Sequence, residues 1–369
     1  MIFGGEEKRR LREELEQKDR RLREARRQLV ARDAEIEALR SRLIRGRNPD
    51  EAPVFFLTGR AKSGTSWLMR ILDSHPEVLC KGEGRFFGRD YKRQDIMEMR
   101  SRIQPSSLHR AILDAEYLNA WVERSVWTRG EVKDRHLDNL TRVAIDYFLT
   151  QRLSKTGKRI VGDKTPFTGE KVLDEIGAVY PASRVIHIIR DGRDVAVSAI
   201  HHFWSRADEH AGQLVLRPEE LAKRDAYYKD PEKAPKAGLF TRERLRSLAE
   251  GWSRQVGRAI RRGPELFGEN YAEVRYENLL ERPEEEVRRL CGFLGADADE
   301  EVVGRCVESA SFERWSKGRK RGQEDSTALL RKGVVGDWRA VFTEEDRRVY
   351  KEVAGRTLIE LGYERDYDW

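Results

Sequence analysis

What the chain lacks narrows it first. Its 369 residues hold three cysteines, Cys80, Cys291 and Cys306, far apart and odd in number. That excludes a disulfide framework, and without any C-x-x-C spacing the common cysteine metal sites are excluded too. No apolar run reaches the length that a membrane-spanning helix needs. The opening stretch, MIFGGEEKRRLREELEQ, has no apolar centre of the kind a secretory leader carries. These absences predict a protein of a reducing cytoplasm with no transmembrane segment. Residues 6–45 contain neither proline nor glycine, which removes turns from that stretch.

What the chain has in abundance is charge. It is 38% hydrophobic and 37% charged, with a formal net charge of +7. The excess of cations favours anionic partners, but charge alone does not separate nucleic acid, anionic membranes and phosphorylated small molecules. The length allows one large domain or two modest ones with a sizeable core.

Residues 1–46 differ from everything that follows. Leu15, Leu22, Leu29, Ile36 and Leu43 recur every seven positions, and a second seam of Leu11, Lys18, Ala25, Arg32 and Leu39 is interrupted. This heptad pattern predicts a coiled-coil arm for self-association into a homo-oligomer, the alternative being a single frayed helix. Acids nearly offset bases there, so a nucleic-acid partner is not expected. A linker with Pro49 and Pro53 occupies 47–53, and the globular domain is expected over 54–369.

In that domain short apolar runs alternate with helical stretches. Strands are expected at 54–58, 159–163, 184–189 and 271–276. Helices are expected at 65–73, 168–178, 191–204, 242–262 and 343–361, with a long mostly helical stretch over 91–155. Residues 205–240 read as a polar irregular lid or insertion, and 317–340 as a loop. The pattern predicts an α/β fold, a parallel sheet flanked by helices on both faces in the manner of P-loop nucleotide hydrolases, preceded by the coiled-coil helix.

Three motifs carry chemistry. FFLTGRAKSGTSWL (55–68) runs from a strand through Gly59 and Gly64 into a helix, which makes an anion site from backbone N–H groups and a helix terminus. The usual nucleotide-hydrolase loop wants lysine directly after its second glycine; here Lys62 precedes Gly64. VIHIIRDGRDVAVSAI (185–200) ends a strand at Arg190, with Asp191 able to cap the next helix and Ser198 a little over two turns on. An arginine at a strand's carboxyl end needs an anion, either a ligand or an acid such as Asp163. Its presence, where a hydrolase of ATP would place a Mg²⁺-holding aspartate, argues against a metal-dependent site. LRKGVVGDWRAVF (330–342) sets paired cations beside Gly333 and Gly336, a basic loop suited to a second phosphate.

Together, in this order, these motifs resemble the nucleotide-binding elements of sulfotransferases that use 3′-phosphoadenosine 5′-phosphosulfate (PAPS). The resemblance covers about 54–345 and excludes the heptad arm. It implies that the loop spanning Arg60, Lys62, Ser63, Gly64, Thr65 and Ser66 holds the 5′-phosphate, with Trp67 stacked on adenine. Arg190, Ser198, Arg331, Lys332 and Gly333 would hold the 3′-phosphate, and Tyr276 would touch adenine. PAPS would be the co-substrate, adenosine 3′,5′-bisphosphate the product, and no metal would be needed.

VGDKTPFT (161–168) lacks the histidine that small-molecule sulfotransferases use as base. DSHPEVLCKGEGRFF (73–87) is instead similar to the tyrosylprotein and heparan sulfate branches. That likeness implies Glu83 as base and Lys164, with Lys62, as cations at the reaction centre. The competing roles are a Glu83 pair with Arg85 and a Lys164 pair with Asp163. His75 and His187 read as structural, His201 and His202 as lining the acceptor cleft, and Trp204, Trp252, Trp315 and Trp338 as packing. The expected acceptor is a hydroxyl of a glycan, glycolipid or small metabolite, or else a protein tyrosine. Two other classes stay open: a P-loop kinase or nucleotide hydrolase, and an inactive coiled-coil scaffold.

Overall fold

The structure is a computed structural model that describes residues 54–88, 107–206, 216–229, 237–325, 328 and 330–369, together with Gln17, Lys18, Arg21, Glu24 and Ala25. The chain divides into a unit of residues 1–52 and a unit of residues 53–369. In the first unit the five described residues are helical; the rest of the expected coiled-coil arm lies outside the described residues.

The second unit opens with β1 (Val54–Gly59), all six of whose residues are buried, and passes into α1 (Thr65–Ser74). Next come β2 (Val78–Gly82), α2 (Leu108–Leu113), α3 (Glu116–Arg124) and α4 (Lys133–Leu153). β3 (Ile160–Lys164), α5 (Val172–Val179), β4 (Arg184–Ile189) and α6 (Gly192–Arg206) follow. Then come α7 (Pro218–Lys229), α8 (Arg242–Phe267) and β5 (Tyr271–Arg275). α9 (Tyr276–Glu281), α10 (Pro283–Leu294), α11 (Glu300–Ser309) and α12 (Phe312–Trp315) lead to α13 (Trp338–Val341) and α14 (Glu344–Glu360).

Among the described residues the strands form one sheet in the order β2-β3-β1-β4-β5, every neighbouring pair parallel. A parallel sheet needs crossovers and cover on both faces, so its strands are near-continuously apolar. Phe55 and Leu57 of β1 and Ile186 and Ile188 of β4 join Leu68 and Ile71 of α1 and Leu290 of α10 in one buried cluster. Phe56 alternates to the other face, packing against Phe87 at 5.5 Å and Tyr180 at 5.3 Å between ring centres. A second cluster joins Trp204 of α6, Trp252 of α8 and Tyr350 of α14.

Four strands stand within a residue or two of their expected places. β2 is an addition: VLCKG is five residues long, and only its first three are buried, too little for a periodicity to show. The expected irregular segment 205–240 contains α7, and the expected loop 317–340 contains α13. Of the helical stretch 91–155, residues 107–153 hold α2, α3 and α4, and 91–106 lie outside the described residues.

Trp252 ties this scaffold to the edge where the motifs lie, because its fully buried indole donates to the Arg190 carbonyl at 3.1 Å. Trp252→Phe is expected to lower the unfolding free energy by about 1–3 kcal/mol, since it strips a donor from a buried carbonyl; denaturant titration measures it.

Candidate active site

All five strands point the same way, so their carboxyl ends meet at one edge, where open α/β sheets bind ligands. β1 ends in the loop 60–64, β2 in Glu83, β3 in Lys164, β4 in Arg190 and β5 in Tyr276. β1 lies between β3 and β4, which makes its end the topological switch point. A cleft of about 360 Å³ opens there.

The loop after β1 enters α1 through Gly64, whose φ of 98° is left-handed. No side chain caps α1, so its first N–H groups are left for a ligand. Lys62, Gly64, Thr65, Ser66 and Trp67 line the cleft. Two other loop residues turn elsewhere. Arg60, expected at the phosphate, donates to Gln255 of α8 at 2.7 Å and is not among the residues that line the cleft. Ser63 is fully buried, with its hydroxyl unpartnered among the described residues.

Arg190 bridges the motifs. Its guanidinium donates to the Lys62 carbonyl and to the Val334 carbonyl, both at 3.2 Å, and lies 4.3 Å from the Tyr276 ring centre. Its acid is Asp194 at 3.9 Å, and no bond joins it to Asp163. Ser198 lines the same cleft, one face of α6 carrying it back to the strand end. Asp191 caps α6 as expected, accepting from the Arg193 N–H at 2.9 Å.

The rest of that motif is structural. Arg193 is buried on Asp191, at 2.7 Å, and on Glu364, with the Trp338 ring 3.9 Å from its carbon. Asp194 accepts from the Gly336 N–H at 2.7 Å and the Trp338 N–H at 3.1 Å. It thereby docks the third motif onto the second, and burial raises its pKa although Arg190 opposes this.

Arg331, Lys332 and Gly333 line the cleft beside Arg190. Their charges are balanced by two acids. Arg331 pairs with Asp337 and, at 2.6 Å, with Glu324; Lys332 pairs with Asp337 at 2.6 Å. Burial would raise the Asp337 carboxyl, but Arg331 and Lys332 more than offset it and hold it below the usual range. His201, inside α6 and edge-on to Trp204 and Tyr227, is pushed down to about 4 by burial and by Arg331, and it is not among the residues that line the cleft. His202 lines the cleft.

At the other end, the Glu83 carboxylate accepts from Lys164 Nζ at 3.0 Å, and Lys164 Nζ reaches Ser66 Oγ at 3.4 Å. The acid therefore meets Lys164, and the lysine meets the P-loop-like loop. Glu83 keeps 32% of its side chain exposed. The approach depends on Gly82, where a Cβ would lie 2.6 Å from the Lys164 chain.

Trp67 and Tyr276 come together edge to face, 5.7 Å between centres, and the Trp67 indole is anchored on the Ala310 carbonyl at 3.0 Å. Phe312, Leu280, Arg321, Val334 and Pro166 also line the cleft and were not expected there; Trp315 packs against the core cluster as expected and lines the cleft as well. The one signal for Phe312 is its aromatic neighbourhood in SFERW, which reads as an ordinary helix. A larger shallow groove of about 1070 Å³ runs between α8, β5 and α14, but it holds none of these groups.

A cleft with cations at two stations, an uncapped helix end and an acid–lysine pair has the features that a nucleotide-dependent group transferase needs. A family model described as a sulfotransferase domain matches residues 52–362, and the chain belongs to that family of enzymes. It is 25% identical over 319 residues to a Caenorhabditis briggsae protein assigned to the protein-tyrosine sulfotransferases, covering 84% of this chain and 89% of that one. It is 27% identical over 328 residues to the nodulation protein NoeE of Sinorhizobium fredii, covering 85% of this chain and 66% of that one. The mouse sulfotransferase SULT7A1 complexed with PAP aligns over 86% of this chain and 88% of its own, at 16% identity and a TM-score of 0.44.

Gly64→Ala places a Cβ 2.6 Å from the Tyr276 ring at a φ of 98°. It is expected to cost about 1–3 kcal/mol of stability from backbone strain alone; thermal and denaturant unfolding measure it.

Proposed function

We propose that this sulfotransferase moves the sulfuryl group of PAPS to an acceptor hydroxyl, with Glu83 as base. The observation that carries the reading is the 3.0 Å contact of Glu83 with Lys164, whose amine also reaches Ser66 in the anion-binding loop. That chain of contacts joins a proton acceptor to the place where a 5′-phosphosulfate would sit.

The residues fit the donor in three parts. Lys62, Thr65, Ser66 and the open end of α1 suit its 5′-phosphate. Arg190, Ser198, Arg331 and Lys332 suit its 3′-phosphate, Arg331 being released from Glu324 as it binds. Trp67, Tyr276 and Phe312 supply faces and edges for the base.

Glu83 takes the hydroxyl proton while the acceptor oxygen forms its bond to sulfur. Lys164 and Lys62 meet the charge that develops on the bridging oxygen as its bond to sulfur breaks. Adenosine 3′,5′-bisphosphate leaves, and the proton stays on Glu83 until solvent takes it.

The acceptor reading is a hydroxyl of a glycan, glycolipid or small metabolite. A protein tyrosine is the second reading, favoured by the likeness to the Caenorhabditis briggsae protein and by Arg85, exposed two residues beyond the base. Transfer of labelled sulfate to tyrosine peptides against oligosaccharides separates the two.

Glu83→Ala is expected to lower sulfuryl transfer at least about 100-fold, with calorimetric binding of adenosine 3′,5′-bisphosphate unchanged. Full transfer in that variant removes Glu83 as the base.

A further inference from the structure

Asp163 stands one residue before Lys164 at the end of β3, and no step above uses it. It is buried, and both its oxygens are engaged. Oδ1 accepts from the Gly84 N–H at 2.8 Å, and Oδ2 accepts from the Thr165 hydroxyl at 2.6 Å. Gly84 follows Glu83, and Thr165 follows Lys164, so one carboxylate holds both segments that carry the reacting pair.

The place of these bonds gives them meaning. The β2–β3 ladder ends with Gly82 opposite Lys164. Beyond it the Glu83 loop leaves the sheet, and the Gly84 N–H is supplied with an acceptor by a side chain. Successive residues of a strand face opposite ways, so Lys164 turns to the cleft while Asp163 turns under the loop. Gly84 allows the approach, since a Cβ there would lie 2.5 Å from the Phe86 ring and 2.8 Å from Oδ1.

A buried carboxylate is costly unless its bonds hold it. Burial pushes Asp163 up to about 6, against the Thr165 and Gly84 bonds and Lys164, with Glu83 adding to the rise. The other ionisable groups near it are on or beside β2: the Cys80 thiol and Lys81, whose amine is held by Asp73.

We infer that Asp163 is a positioning residue for sulfuryl transfer: its carboxylate pins the Gly84 amide to the end of β3, so that Glu83 meets Lys164 at the reaction centre. This rests on the reading of Glu83 as base. The clamp serves the acceptor side of the site and leaves the donor's phosphates to other residues.

The test needs no known acceptor. Slow transfer of the sulfuryl group of PAPS to water, followed as release of adenosine 3′,5′-bisphosphate, is the readout, and its loss in Glu83→Ala shows that water is activated by the same base. Asp163→Ala is expected to lower kcat about tenfold to a hundredfold through misplacement of the pair, with KM for PAPS and binding of adenosine 3′,5′-bisphosphate unchanged. Asp163→Asn is expected to restore most of kcat, because an amide oxygen still accepts from Gly84 and the amide nitrogen can donate to Thr165. If Asp163→Ala does not fold, Gly84→Ala carries the comparison and is expected to lose kcat in the same way. Wild-type kcat in Asp163→Ala or Gly84→Ala overturns the inference, as does an Asn variant as slow as the Ala variant. Glu83→Ala run alongside separates the failures: its full activity sinks the base, and its inactivity beside a fully active Asp163→Ala sinks only the clamp.

Discussion

The whole site depends on the parallel register of five strands. Because β2, β3, β1, β4 and β5 run the same way, each delivers one chemical group to a single edge: Glu83, Lys164, the Lys62–Ser66 loop, Arg190 and Tyr276. A single antiparallel strand would send its group to the far side. The apolar faces that hold the register, Phe55 and Leu57 to one side and Phe56 to the other, are therefore as much a part of the chemistry as the cleft residues.

Within that edge, buried carboxylates do the organising. Asp194 receives the Gly336 and Trp338 amides and so couples the second and third motifs, which lie far apart in sequence. Asp337, which is buried, and Glu324, at the surface, pair with Arg331 and Lys332. Cations clustered this closely would repel without them, and a phosphate that enters must compete with at least one. Asp163 does for the Glu83 loop what Asp194 does for the basic loop. Each is a buried acid near this edge that accepts from at least one backbone amide of a neighbouring loop.

Much of the fold was legible because it rests on long local signals. VFFLTG and RVIHII are short, mostly apolar runs, and each is followed within a few residues by a helix, so their strands and the parallel sheet followed. β2 was not legible, since a five-residue strand with an exposed end carries almost no pattern. At the site, the three motifs located part of the cleft's lining, Lys62, Gly64 to Trp67, Arg190 and Ser198, and Arg331 to Gly333. They did not say which way each side chain turns. Arg60 leaves the loop toward Gln255, and Ser63 turns into the interior, because tight turns at Lys62, with φ 74°, and at Gly64 alternate the directions. Phe312, Trp315 and Arg321 reach the cleft from a segment whose own sequence reads as an ordinary helix and turn; only tertiary packing sets them there.

One cleft with two separate cationic stations suits a ligand with two phosphates rather than the metal-bound triphosphate of a nucleotide hydrolase. Calorimetry on the full chain tests it most directly, comparing adenosine 3′,5′-bisphosphate with adenosine 5′-phosphate, each in chelator, and with ATP in Mg²⁺. The bisphosphate is expected to bind tightest, and loss of the 3′-phosphate to weaken binding at least about tenfold, the worth of a charge-assisted contact. Tighter binding of Mg²⁺-ATP, or equal binding with and without the 3′-phosphate, would contradict it.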